Sequence, residues 1–210
     1  TQNQAFSAVL FLLREVLGLD VGEIKGIRAK RGPKLPVVLS VEEVRAVFAS
    51  ITGTRRLMLE LAYGAGLRVT ELVRLRVQDV DFENGILFVR AGKGDKDRST
   101  LLPGRLLDPL EEQIGRVRQL HRKDVEAGHG EVYLPGALAR KYPDAPKKTG
   151  WQYVFPARSL SVDPRSGKVM RHHIGQQVVQ RSMKDAVRRA GIEKNASVHT
   201  LRHRFATHLL

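Results

Sequence analysis

The sequence contains no cysteine. That excludes disulfide staples, thiolate nucleophiles and cysteine-ligated metals, and it suits a reducing cytosol. Aromatic residues are scarce, at 6% with a single Trp. No apolar run is long enough to span a bilayer, and no signal peptide is recognisable, so no membrane partner is expected. Internal repeats and low-complexity tracts are also missing. Acidic residues are in short supply: 22 against 36 Lys and Arg, a formal net charge of +14. A surplus of this size goes beyond a solubilising surface and favours a polyanionic partner, with nucleic acid the default.

What is present is an ordinary globular composition, 42% hydrophobic and 28% charged over 210 residues. That length holds one sizeable core with room for an extra subdomain. Phe6, Val9, Leu10, Leu13, Val16 and Leu17 follow helical spacing over Ala5 to Leu17, and Phe11 and Leu12 widen the apolar side. So apolar a helix calls for a packing partner that little in the neighbouring sequence supplies. Ala29-Lys-Arg-Gly-Pro-Lys34 reads as a basic linker. Ser40-Val-Glu-Glu43 is a capping box opening a helix to about Ser50. A second helix is predicted from Arg55 to Tyr63, broken by Gly64-Ala-Gly66, with a third opening at Leu67. Ile86 to Arg90 and Thr100 to Leu102 read as strands joined by the tip Gly92-Lys-Gly-Asp-Lys-Asp-Arg98. A long amphipathic helix follows from Asp108 to about Ala127, then an irregular basic stretch from Gly128 to Thr149. Trp151 to Phe155 is a short strand candidate, Asp163-Pro-Arg-Ser-Gly167 a turn, and Gly175 to Ala190 a helix closed by Gly191. The sum is an α+β, helix-rich domain with a small strand patch.

The chemistry-bearing stretch is His199-Thr-Leu-Arg202-His203. Ser197 is a candidate N-cap, and His and Arg three apart share one helix face beside free N–H groups that attract anions. Arg68 likewise sits where a helix opens after glycines. Lys93 and Lys96, at the basic tip, could reach a phosphate; the tip lacks the spacing of a Walker P-loop. His199, His203 and His208 raise a zinc reading, but Thr200 stands where a metalloprotease helix needs Glu. No metal or cofactor is expected.

Taken together, Ala65-Gly-Leu-Arg-Val-Thr-Glu-Leu72, the Gly92–Arg98 tip and His199-Thr-Leu-Arg-His-Arg-Phe-Ala-Thr-His-Leu-Leu210 resemble the tyrosine recombinase (phage integrase) family, in that family's order. The resemblance runs from about Leu35 to the end. It implies the recombinase catalytic fold with a small antiparallel sheet. Arg68 and Arg202 would clamp the scissile phosphate, and Lys93, rather than Lys96, would protonate the leaving 5′-oxygen. His199 would act as general acid/base, with Glu71 as a supporting carboxylate. The stretch from about 128 to 175 resembles the additional segment of integron integrases, through Tyr133-Leu-Pro-Gly-Ala-Leu, Trp151-Gln-Tyr-Val-Phe-Pro, Asp163-Pro-Arg-Ser-Gly and Arg171-His-His. Trp151, Pro164, His172 and His173 match its base-binding subdomain, and Arg171 and Lys96 join them as expected DNA contacts.

The resemblance divides the chain into a remnant helix of the core-binding domain at 1–26, a linker at 27–37 and a catalytic domain at 38–210. The family's nucleophilic Tyr is expected beyond Leu210, because Tyr63, Tyr133, Tyr142 and Tyr153 all precede His199. The sequence therefore reads as a fragment whose parent is a bacterial, cytoplasmic, nucleoid-associated recombinase. The parent would act as a homotetramer on folded single-strand hairpin cassette sites and a duplex integron site. The fragment itself is expected to be monomeric and inactive in cleavage. The alternative is a non-catalytic DNA-binding module on the same fold.

Overall fold

The computed structural model describes residues 2–22, 37–90 and 97–202. It divides into two compact units, Thr1–Pro36 and Val37–Leu210. The first unit carries helix α1 (Gln2–Phe11), which continues as a π-helical turn over Leu12–Val16. Phe11, Val16 and Leu17 are exposed there. The predicted linker lies mostly outside the described residues.

In the second unit, α2 (Val41–Ala49) begins at the predicted capping box. The Glu43 amide donates to Ser40 Oγ at 3.1 Å, and the Ser40 amide donates back to Glu43 Oε2 at 2.6 Å. Helix α3 (Gly53–Gly64) follows, and its Leu57, Met58, Leu59, Leu61 and Ala62 are all buried. Gly66, at φ +60°, turns the chain through the left-handed region that side chains resist, and delivers Arg68 to the start of α4 (Val69–Arg74). Helices α2, α3 and α4 all pack on α7 (Gln176–Arg189), whose inward row is Val179, Ser182, Met183, Ala186 and Val187. Gly191, at φ +67°, follows its end. The long helix α5 (Leu107–Glu126) packs against α3. Its Leu110, Ile114 and Val117 recur at helical spacing and are buried.

A three-stranded antiparallel sheet in the order β1 (Val80–Asp81), β2 (Ile86–Val89), β3 (Arg98–Leu101) lies beside the helices. Leu87 and Val89 point into the core and Phe88 points out, as a half-buried strand requires. Strand β1, only two residues long, leaves no periodic signal in the sequence.

The segment 128–175 departs from expectation in two places. Its first half is not wholly irregular: α6 (Gly136–Lys141) and a 3-10 turn at Ala145–Lys147 lie within it. Trp151–Phe155 is not a strand. Trp151 ends a 3-10 turn, and Tyr153 and Pro156 each make one isolated bridge, to Arg76 and His173. Tyr153, Val154 and Phe155 are all buried, so the run is enclosed and does not alternate. The predicted Asp163–Gly167 turn joins β4 (Ser161–Val162) to β5 (Val169–Met170).

Candidate functional site

The site gathers around Glu71, whose side chain is only 4% exposed. Its position is local in origin. Arg68 is the N-cap of α4 and Glu71 lies three residues on, so the Arg68 backbone N–H donates to Glu71 Oε2 at 2.8 Å. The Arg68 guanidinium folds over the same turn, with Nη1 at 2.7 Å from Oε1. Two further arginines arrive from distant sequence. Arg98 Nη2 donates to Oε2 at 2.9 Å, and Arg202 Nη1 stands 3.4 Å from that oxygen. Arg202 lies in helical residues 198–202, whose start is held by the Ser197 amide donating to Thr200 Oγ1 at 3.1 Å.

Three guanidiniums therefore face one carboxylate, all partly screened from water. Burial, followed by the neighbouring Arg68 and Arg98 charges, pushes the Arg202 guanidinium below its ordinary value, while Glu71 pulls it back up. A half-buried excess of positive charge is a site for an anion, because fixed donors in a low-dielectric setting gain most from a partner that completes them. His199 is exposed and lines a cavity of about 220 Å³ together with Arg68, Thr70 and Gln180. His199, Arg68, Glu71 and Arg202 thus belong to one region.

A second cavity, of about 660 Å³, runs from Glu71 and Arg74 to Tyr133, Trp151, Arg165, His172 and His173. Arg76, 9% exposed, ties its walls together. Arg76 Nη1 donates to the Trp151 carbonyl at 2.6 Å, and Nη2 donates to the Tyr133 carbonyl at 2.9 Å and to Tyr153 Oη at 3.1 Å. Its guanidinium carbon lies 3.9 Å from the Tyr153 ring centroid.

His173 Nδ1 is 2.8 Å from the Ile174 carbonyl, which makes Nδ1 the protonated nitrogen of the neutral ring. Burial chiefly, with help from Arg74, His172 and Arg76, holds this imidazole below its usual pKa. The folded protein therefore resists protonating His173 while the unfolded chain accepts the proton. Its stabilising contribution is complete above the ordinary imidazole value and is lost as pH falls through the folded pKa. We expect thermal stability to decline on acidification below about pH 6.5, and His173→Phe to flatten that part of the profile. An unchanged profile in the variant would assign the acid sensitivity elsewhere.

The remaining predicted residues divide. Lys93, Lys96, His203 and His208 lie outside the described residues. Among the described residues, no His, Cys, Asp or Glu group could hold a metal. Trp151, His172 and His173 line the larger cavity, and Pro164 is exposed in the β4–β5 turn. Arg171, expected among the DNA contacts, is held within the fold. It is 9% exposed, its Nη2 donates to Asp124 Oδ1 at 2.7 Å and its Nε to the other oxygen, and Nη1 caps the carbonyls of Ala157 and Arg158. With its donors spent on α5 and the neighbouring loop, it fastens β5 in place. Arg98 was missed as a site residue. It closes the basic tip in sequence, and only the register Val89↔Arg98 brings it to Glu71.

This mostly helical fold with its small antiparallel sheet matches that of tyrosine recombinase catalytic domains. The chain belongs to the phage integrase family, whose model matches residues 38–210. It is 46% identical over 211 residues to an "Integrase/recombinase" of Escherichia coli, a match that covers 100% of this chain and 63% of the relative. It is 32% identical over 192 residues to the tyrosine recombinase XerA of Pyrococcus furiosus, covering 90% of this chain and 53% of the relative. The chain thus spans between half and two thirds of the length of these relatives. Among solved structures it is similar in fold to the XerA recombinase, with TM-score 0.54, 24% identity, and coverage of 100% of this chain and 62% of that one. It is likewise similar to a lambda integrase(75–356) dimer bound to a COC′ core site, with TM-score 0.57, 15% identity, and coverage of 97% and 60%. No helix among the described residues is long and apolar enough to cross a membrane.

Proposed function

We propose that this chain is the catalytic part of a site-specific recombinase that exchanges DNA strands through a 3′-phosphotyrosyl intermediate, and that its substrates are integron gene cassettes. The observation that carries the reading is the convergence of Arg68 and Arg202 on Glu71 beside His199. The two guanidiniums bind the non-bridging oxygens of the scissile phosphate and stabilise the charge that grows on the pentavalent phosphorus. His199 moves a proton at the nucleophile or the phosphate. A tyrosine oxygen bonds to phosphorus as the bond to the 5′-oxygen breaks. Lys93 gives that oxygen its proton.

The cassette reading rests on the larger cavity. Trp151, His172, His173 and Arg165 line it, a set suited to stacking on and hydrogen-bonding an unpaired base that leaves a folded hairpin. The protein would work in the bacterial cytoplasm at the nucleoid, as a tetramer on DNA.

The test is suicide-substrate trapping with the full-length protein. A covalent adduct is expected, and its absence would favour the non-catalytic DNA-binding module. Hairpin DNA bearing extruded bases should bind more tightly than the same hairpin fully paired. Affinity should fall steeply with salt, by roughly 10³-fold between 50 and 200 mM if about six phosphates are neutralised. A flat salt response would count against any DNA-binding role.

A further inference from the structure

Glu71 holds three guanidiniums, and the third has no part in the mechanism above. Arg98 opens β3 opposite Val89, and its side chain is 34% exposed. It donates from Nη2 to Glu71 Oε2 at 2.9 Å. That oxygen already accepts the Arg68 backbone N–H at 2.8 Å, and Arg68 Nη1 takes the other oxygen at 2.7 Å. A carboxylate offers about four lone-pair sites, so these three donors leave little for another. Arg202 Nη1 stands last, at 3.4 Å, the outer edge of a hydrogen bond. Arg98 Nη1 is buried and has no hydrogen-bond partner among the described residues.

We propose that Arg98 is a positioning residue of the phosphate site: by occupying Glu71 Oε2 it keeps the Arg202 ion pair to that oxygen long, at 3.4 Å, and leaves Arg202 loosely held for the scissile phosphate. The proposal rests on the recombinase reading and deepens it. Without Arg98, Oε2 would have an open lone pair and Arg202 would be the nearest donor to fill it. An arginine drawn onto a buried carboxylate is lost to a substrate that must compete for it. Arg98 also leaves the cluster with an excess of two positive charges, from three guanidiniums and one carboxylate. That excess matches a phosphodiester whose charge grows from one to two negative units in the transition state.

The experiment compares Arg98→Met with the unaltered full-length recombinase on two nicked substrates. One carries the ordinary scissile phosphate. The other carries a methylphosphonate there, which has one negative charge fewer. On the phosphodiester we expect near-unchanged DNA affinity and a single-turnover adduct rate lowered roughly tenfold to a hundredfold, less than a direct phosphate contact gives. On the methylphosphonate the deficit should shrink to within about threefold, since less charge has to be met. Arg98→Lys keeps the charge and one donor. It should lose only about threefold, again on the charged substrate alone, and it carries the comparison if Arg98→Met does not fold. Equal deficits on both substrates, or none on either, overturn the proposal. A wild-type protein that forms no adduct sinks the recombinase reading instead.

Discussion

Arg202→Ala in the full-length protein is expected to lower strand cleavage by about 10³-fold or more while DNA affinity stays within about threefold. The reason lies in what the side chain touches. Arg202 is 24% exposed and its weak contact to Glu71 is at 3.4 Å, so little ground-state structure depends on it. Its guanidinium is pushed off its ordinary value by burial and by Arg68 and Arg98, which marks a cation held where an anion would relieve it. Interactions of that kind strengthen as phosphorus gathers charge and so act on the rate, whereas affinity is spread over the many phosphates met by a strongly basic surface. Suicide-substrate trapping alongside a binding titration separates the two. Equal loss of cleavage and binding would make Arg202 a structural arginine.

Arg76→Met should have the largest effect on stability, about 3 kcal/mol, read from the midpoint of chemical denaturation. Three acceptors depend on this guanidinium: the Trp151 and Tyr133 carbonyls and Tyr153 Oη. Burial pushes the Arg76 guanidinium below its ordinary value, so its desolvation is costly, and part of that cost is recovered when the charge goes. What remains is a set of part-buried and buried acceptors that have lost their donor. Amide exchange should quicken first near Tyr133, Trp151 and Tyr153 and leave the α3–α7 contact protected. Uniform acceleration would show that Arg76 supports the whole core and not this segment in particular.

The helices were legible because their signals are local. Ser40 and Glu43 lie within one turn and satisfy each other's amides wherever the rest of the chain goes. The buried rows of α5 and α7 repeat at helical spacing. Arg68 and Glu71 belong to the same first turn, so their pairing is also nearly local. The family motifs named Arg202 and His199. Arg171 is the opposite case, because its partner is distant in sequence. Next to two histidines it looks like part of a nucleic-acid contact, but Asp124, 47 residues earlier on α5, claims it. Trp151–Phe155 was misread because a fully enclosed apolar run carries no alternation to separate strand from buried coil.

Arg98 shows most plainly where sequence stops. At the end of a basic tip it looks like one more solvated cation, and only the antiparallel register of β2 and β3 aims it at Glu71. By itself the sequence determined the helical framework, the excess of positive charge and the identity of the motif residues, because each depends on composition or on neighbours a turn away. The tertiary structure alone decided which arginines share Glu71, which one is loosely held, and which is locked away on Asp124. Those outcomes depend on distances between atoms far apart along the chain, and packing fixes such distances while periodicity does not.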